Sequence, residues 1–284
     1  MTPGHSRDDE QVFIGIDVAC AKNRRLPVCF ALRRDGRLEP AELPRALLDR
    51  IPRGTGNREV ALAAPYAEKT RAVAAAIAGI CREMGWRVER IAVDAPAAPG
   101  RRGGRRCEID LFGAGLSAFK TPSVDEWPGV LAACRAHLSG GAPLARLPHA
   151  NKVWMLYGFE LFAALRTSFE VIEVYPFAIA RALLPIHAHK STEEGYRLQL
   201  AAIAAATGWA PDALEVRLRR TVAGSRHDRL DAFMAVWVAS LPTAVLRAFG
   251  DASDPNDAIW TPLPASRDSP LARRSEAHAP SARR

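Results

Sequence analysis

Short apolar runs of strand length alternate along this chain with longer segments of helical periodicity. Residues 11–19 predict a buried strand that ends in an acid, and residues 26–32 predict a second strand, because both are short and apolar. Asp35-Gly36 is a hairpin-type turn signal that leads towards a third short strand or loop. Residues 58–63 are a further strand candidate.

The middle of the chain changes from strand to helix and back. Apolar residues at helical spacing predict a helix over 67–85, which Gly85 terminates, and residues 87–94 predict a strand that again ends in an acid. A strand, a helix and a strand joined by short links form a βαβ unit, which implies parallel pairing. The later predictions are a loop with a short helix (97–125), two helices (126–138 and 150–166), a strand (169–176), two or three helices (177–219) and a helix (228–239).

These elements predict a single α/β domain over residues 11–250, with a helical insertion at about 97–167. Residues 1–10 are expected to form a loose leader. Residues 264–284 are rich in Pro, Ser, Ala and Arg, which predicts a disordered basic tail.

Composition narrows the class of protein. The chain has 284 residues, 48% of them hydrophobic and 25% charged, a balance that supports a sizeable core. It has no apolar run of about 18 residues and no signal-peptide pattern, so we expect a cytoplasmic protein that does not cross a membrane. The five cysteines are widely spaced without a C-x-x-C pair, which argues against a disulfide framework or a cysteine zinc site.

The positive charge has one concentrated segment. The formal net charge is +8, and Arg101, Arg102, Arg105 and Arg106 lie together in the glycine-rich loop. They are candidates for binding substrate phosphates, with nucleic acid as the partner. A solvated surface loop is the alternative interpretation.

Isolated acids near the ends of apolar segments are the main chemical signal. These candidate catalytic residues are Asp17, Asp94, Glu173, Asp228 and Asp231. Parallel strands bring their carboxyl ends to one edge of a sheet, where open α/β sheets bind ligands. Two acids three residues apart share one face of a helix, so the acids at 228 and 231 can face that edge together.

Clustered carboxylates repel one another and need a cation. Ligation by oxygen alone favours Mg²⁺ or Mn²⁺, and two such ions can promote phosphodiester cleavage. Asp17, Asp94 and Asp231 are the predicted metal ligands. A structural role remains open for each acid: a turn at Asp94, a helix cap at Asp228, or a paired core charge.

Four short motifs carry these acids along the chain. They are Gly15-Ile16-Asp17, Val93-Asp94-Ala95-Pro96, Val171-Ile172-Glu173-Val174-Tyr175-Pro176 and His227-Asp228-Arg229-Leu230-Asp231-Ala232. In their order the chain resembles domain-of-unknown-function family 429 over roughly residues 12–245. Members are described as predicted nucleases with an RNase H-like fold, which implies three strands, a helix, a strand, a helix, a strand and a helix.

The first strand and last helix also look like those of RuvC-type resolvases. By that similarity Asp17 is a metal ligand on the central strand, Asp94 matches an acid on the fourth strand, and Asp228 and Asp231 match paired helix acids. Glu173 has no simple counterpart there and is nominated by the family pattern alone.

The resemblance implies a metal-dependent nuclease, and two other functions stay open. One is a non-catalytic nucleic-acid or nucleotide-binding protein that keeps the fold. The other is an actin-like ATPase or kinase, whose first strand also reads Gly-Ile-Asp. The chain lacks a second glycine-rich phosphate loop, which counts against the ATPase. The sequence does not indicate an oligomeric state.

Overall fold

A mixed seven-stranded sheet runs through the protein in the order β3-β2-β1-β4-β5-β7-β6. The computed structural model describes residues 10–18, 22–54, 56–62, 66–184 and 190–264. The strands are β1 (Glu10–Asp17), β2 (Val28–Arg34), β3 (Arg37–Pro40), β4 (Trp86–Asp94), β5 (Val171–Val174), β6 (Leu246–Gly250) and β7 (Ala258–Pro262).

Helices cover both faces of this sheet. The α-helices are α1 (Arg45–Leu48), α2 (Asn57–Ala61), α3 (Tyr66–Met84), α4 (Arg106–Gly113), α5 (Trp127–Ser139), α6 (Ala150–Leu165), α7 (Pro176–Leu183), α8 (Glu193–Thr207), α9 (Pro211–Thr221) and α10 (Arg226–Ala239). Two short 3-10 helices cover Leu144–Arg146 and Thr243–Val245. The protein is therefore a mixed α/β protein, as predicted.

Strand direction places acids side by side at one edge of the sheet. β1 pairs antiparallel with β2 but parallel with β4, and the last register pair of β1 and β4 is Asp17 with Asp94. β5 runs parallel to β4, with Glu173 opposite Val93. Because the three strands point the same way, their carboxyl ends meet at the same edge.

Alternation along β1 divides the core into two layers. Val12, Ile14 and Ile16 are buried with residues of α3 and α6, whereas Phe13 points to the layer formed by α8, α9 and α10. This two-sided burial is the pattern of a central strand covered on both faces.

Helix α10 lies against β1 at a distance that only glycine allows. A Cβ at Gly15 would lie 2.1 Å from the Ala232 carbonyl oxygen and 2.4 Å from the Val236 nitrogen. The residues from Leu230 to Ala239 are all buried, so α10 is a core helix. This close packing brings the beginning of α10, with its acids, to the ends of β1 and β4.

One predicted strand is wrong. Residues 57–61 form helix α2 instead of a strand, and Ala63 lies outside the described residues. Val60 and Ala61 are buried against Cys134 and Val153 of neighbouring helices, not in the sheet. A short apolar run does not distinguish a strand from a buried helical turn, which explains the error.

The sheet also extends further than the sequence predicts. β6 and β7 have no counterpart among the predicted strands, and β7 lies beyond residue 250, the predicted end of the domain. Glu10, expected in the leader, is the first residue of β1. The rest of the predicted leader (1–9) and nearly all of the predicted tail (265–284) lie outside the described residues. No helix in the described ranges is long and apolar enough to cross a membrane.

Candidate functional site

A cavity of about 950 Å³ opens at the carboxyl ends of β1, β4 and β5. All the acids predicted from the sequence line it: Asp17, Asp94, Glu173, Asp228 and Asp231. We call this cavity the acidic cleft. The carboxylates differ in their surroundings and divide into two kinds.

Asp17 and Asp94 differ from the other carboxylates of the acidic cleft in their contacts with the described residues. Among the described residues, no side-chain hydrogen bond reaches either group. Burial raises the pKa of Asp17 well above its ordinary value, and the nearby Asp94, Asp231 and Asp228 carboxylates raise it further. Burial, followed by the Asp231 carboxylate, raises the pKa of Asp94 to about 8. Both groups therefore lie in a field that strongly disfavours their charged form.

Asp231 is more deeply buried and only partly satisfied. Its residue is 4% exposed, and its Oδ2 accepts a hydrogen bond from the Lys190 ammonium. Its Oδ1 is buried and has no hydrogen-bond partner in the described part of the chain. Burial raises the pKa of Asp231, and Lys190 opposes that rise. An unpartnered buried carboxylate oxygen is costly and points to a missing cation or donor.

Lys190 is the site residue that sequence reasoning missed. Burial lowers its pKa, but the Asp231 and Asp94 carboxylates outweigh that effect and keep the pKa above its ordinary value. Lys190 therefore carries a positive charge within the acidic cluster. Only the fold reveals this, because a single lysine before a helix N-cap carries no signal in the sequence.

Asp228 caps a helix. The Ser225 nitrogen donates to its Oδ2 over 2.7 Å, and the Asp228 nitrogen donates to the Ser225 Oγ over 3.3 Å. This reciprocal pair is a capping box at the start of α10. The carboxylate also lines the acidic cleft, but its hydrogen bond to the helix start is a sufficient structural reason for an acid here.

Glu173 is surrounded by donors. Arg105 donates to its two carboxylate oxygens over 2.9 and 2.5 Å, and the Ala97 nitrogen donates over 2.8 Å. Burial raises the pKa of Glu173, and the guanidinium opposes this. Glu173 therefore anchors the loop after β4, whereas Asp17 and Asp94 accept no side-chain hydrogen bond from the described residues.

The arginine loop does not face the acidic cleft as a set. Arg105 is 2% exposed and is the buried partner of Glu173, which leaves it unsuited to surface phosphates. The exposed Arg101 pairs with Asp254 at 2.7 Å, and the exposed Arg106 pairs with Asp110 at 2.8 Å. Arg101, Arg102 and Arg105 line a second cavity of about 350 Å³, while Arg106 lines neither.

Two further residues that line the acidic cleft could take part in binding or proton transfer. Lys22 supplies a positive charge at the cavity wall. His227 packs edge-on against the Tyr196 ring at 5.4 Å, and its Nδ1 is buried without a partner among the described residues. Burial, followed by the Arg226 charge, lowers the pKa of His227, so the imidazole is held neutral near pH 7.

The donor set of the acidic cleft suits a hard divalent cation. Its free ligand atoms are carboxylate oxygens, which Mg²⁺ and Mn²⁺ prefer, and one of them is orphaned. Across the described ranges, no three His, Cys, Asp or Glu side chains are already arranged around one ion position.

The fold and cleft together define a mixed α/β protein with a carboxylate-lined cavity at the ends of parallel strands. Residues 15–244 match the model of the family described as "Protein of unknown function (DUF429)", and the chain belongs to this family. The resemblance carried by the four motifs is confirmed at that level. No curated protein and no solved structure matches the chain.

Proposed function

We propose that this protein is a metal-dependent nuclease that hydrolyses phosphodiester bonds in DNA or RNA. The observation that carries the proposal is the convergence of Asp17, Asp94 and Asp231 in one cavity, with an Asp231 oxygen left unpartnered. Structural carboxylates are normally satisfied by donors, as Glu173 is by Arg105. Asp17 and Asp94 accept no side-chain hydrogen bond from the described residues, and Asp231 keeps one oxygen unpartnered, which favours a role that needs their free oxygens.

The proposed roles follow from the contacts of each residue. Asp17, Asp94 and Asp231 would hold Mg²⁺ or Mn²⁺, which when bound activates water and stabilises the leaving oxygen. Glu173 and Arg105 fix the loop after β4 through the Ala97 nitrogen. Asp228 holds the start of α10 in place, and Lys22 offers a positive charge to a phosphate.

The order of elements supports the RNase H-like part of the proposal. The three strands β1, β2 and β3 precede a long helix, β4, a helical segment, β5 and further helices, which is the order that the resemblance implies. Strands β6 and β7, helices α1 and α2 before the long helix, and the further helices between β4 and β5 are additions to that order. The acids lie at the ends of β1 and β4 and at the start of α10, the positions that the resemblance nominates.

A second candidate is a non-catalytic binding protein with the same fold. The ion pair between Lys190 and Asp231 favours it, because an internal ammonium already neutralises part of the cluster. Titration calorimetry with Mn²⁺ separates the two candidates, since the binding protein predicts no heat of metal binding at the acidic cleft.

The test of the nuclease is cleavage of single-stranded and duplex DNA and RNA in Mg²⁺ or Mn²⁺. We expect Asp17→Asn to lower the rate at least about 100-fold while the protein stays folded, because it removes a ligand but also removes a buried repulsion. Asp212→Asn, a change at an exposed acid of α9, is the matched control and should retain full activity. Equal cleavage by wild type and Asp17→Asn would contradict the proposal.

A further inference from the structure

The wall of the acidic cleft that adjoins the carboxylates is aromatic and apolar. Its side chains come from the insertion between β4 and β5 and from the start of α7. They include Phe119, Leu144, Trp154, Tyr175 and Phe177. Phe119 is 55% exposed and Leu144 is 46% exposed. Large apolar side chains that are left open inside a concave cavity mark a ligand surface more often than chance exposure does.

The charge of the acidic cleft argues against a site that binds the phosphate backbone of duplex nucleic acid. Among the described residues, Lys22 and Lys190 are the lysines and arginines that line it, and Lys190 is already paired with Asp231. A duplex hides its bases and offers phosphates, so binding it depends on many phosphate contacts. The exposed Arg101 and Arg102 of the glycine-rich loop line the second cavity instead.

We propose that the aromatic wall receives an unpaired nucleobase of the substrate, so that the site acts on single-stranded nucleic acid. This inference rests on the proposed function and names its substrate class. A cavity of about 950 Å³ has the size of a small-molecule pocket. Its aromatic wall can accept a flat ring, and its carboxylates can hold a metal that binds a phosphate. Nucleotides combine these two chemistries, and their bases stack on aromatic side chains whatever the sequence.

Tyr175 and Phe177 give the wall its shape. Their ring centroids lie 5.9 Å apart, and the Tyr175 hydroxyl donates to the Ser117 carbonyl oxygen over 2.6 Å. That hydrogen bond ties the segment that carries Phe119 to the end of β5. Phe119 is therefore held in the lining of the acidic cleft although its side chain is 55% exposed.

The first test compares two single-stranded DNA oligonucleotides that differ only at the nucleotide next to the cleaved bond. One carries a base there and the other carries an abasic tetrahydrofuran. We expect Phe119→Ala to raise KM about tenfold for the first and to leave the second unchanged, as the loss of one stacking contact implies. Phe112→Ala is the matched control, because Phe112 is 79% exposed on α4 and lies outside the cavity.

Two outcomes of this test overturn the inference. One is an equal effect of Phe119→Ala on both strands, or no effect on either. The other is a wild-type preference for duplex over single strand. Phe119 is exposed and outside the helices and strands, so its change is not expected to unfold the protein.

The second test separates this inference from the nuclease itself. The probe is 2-aminopurine riboside, a neutral fluorescent nucleoside, titrated in EDTA. We expect its fluorescence to be quenched by wild type and by Phe112→Ala, and about tenfold more weakly by Phe119→Ala. Quenching without any metal-dependent cleavage would refute the nuclease but keep the base site. Absence of quenching would show that the aromatic wall binds no nucleobase. Competition by short-chain phosphatidic acid, but not by nucleosides, would show that the wall binds a lipid instead.

Discussion

The contact between Lys190 and Asp231 determines the charge balance of the acidic cleft. Asp17, Asp94 and Asp231 repel one another, and the Lys190 ammonium lowers the pKa of each of them. Removing one partner from a buried ion pair leaves the other charge uncompensated. Lys190 therefore stabilises the fold in the absence of metal, whatever the protein does.

We expect Lys190→Met to lower the free energy of unfolding by about 1–2 kcal/mol, measured by urea unfolding in EDTA. This lies between the values for surface pairs and fully buried pairs, because the Lys190 side chain is 35% exposed and Asp231 is 6% exposed. Lys69→Met, which breaks an exposed pair with Glu59, is the matched control and should cost less than about 1 kcal/mol. If Lys69→Met lowered the free energy of unfolding more than Lys190→Met does, the pair between Lys190 and Asp231 would contribute no more than a surface ion pair.

Individual site residues were predictable to different degrees. Asp17, Asp94 and Asp231 could be predicted because an acid at the end of an apolar strand, or within an apolar helix, is unusual and visible in the sequence. The pairing of Arg105 with Glu173 could not be predicted, because the two residues are 68 positions apart and meet only through the fold. The same holds for Lys190, which lies 41 positions from Asp231.

Helix α10 is the element that assembles the cleft. It carries Asp228 and Asp231 and packs on β1 through Gly15, so the glycine controls how near the helix acids come to Asp17. The sequence predicts the helix and the strand, but not that their separation depends on a missing Cβ.

We expect Gly15→Ala to destabilise the protein by at least about 3 kcal/mol, or to prevent folding, because the new Cβ would overlap the backbone of α10. Gly79→Ala is the matched control. Gly79 lies in α3, where an added Cβ would meet nothing within 4 Å, and a helical alanine is worth about 0.5–1 kcal/mol over glycine. Urea unfolding of both variants decides the matter, and a stable Gly15→Ala protein would show that α10 can move away freely.

Elements with a clear period are predictable from the sequence, whereas some of the short elements are not. The predicted bounds of helix α3 are within a residue at each end, because its apolar positions repeat and Gly85 follows with φ of 67°. The strand predicted over residues 58–63 is wrong because the short helix α2 shows no period that would distinguish it from a strand. β6 and β7 escape prediction because each has five residues in a segment rich in Asp and Pro.

At the scale of the whole molecule, the acidic cleft makes the free energy of unfolding depend on pH. Burial and Asp231 raise the pKa of Asp94 from 3.8 to about 8, so the folded protein binds this proton more tightly than the unfolded chain does. The resulting stabilisation is complete below pH 3.8 and is lost as the pH rises towards 8. This direction is opposite to that of an ordinary ion-paired carboxylate.

We expect Asp94→Asn to raise the free energy of unfolding at pH 8 in EDTA by at least about 1 kcal/mol and to change it little at low pH, since one unit of pKa corresponds to about 1.4 kcal/mol. Asp212→Asn should leave the pH dependence unchanged. Adding Mn²⁺ should stabilise wild type more at pH 8 than at pH 5 and should have less effect on Asp94→Asn. A variant with the same pH dependence as wild type would show that Asp94 is not held protonated.

β7 has a consequence for how the protein is made. It lies between β5 and β6 in the sheet, yet it is the last strand in the described part of the chain. Because the second neighbour of β5 is β7, the ribosome must synthesise the chain through Pro262 before β5 is paired on both sides. In the described part of the chain β6 pairs only with β7, so it also stays unpaired until then. An unpaired strand edge is a template for pairing with other chains. Until β7 emerges, the free edge of β5 is therefore open to mispairing between copies on neighbouring ribosomes.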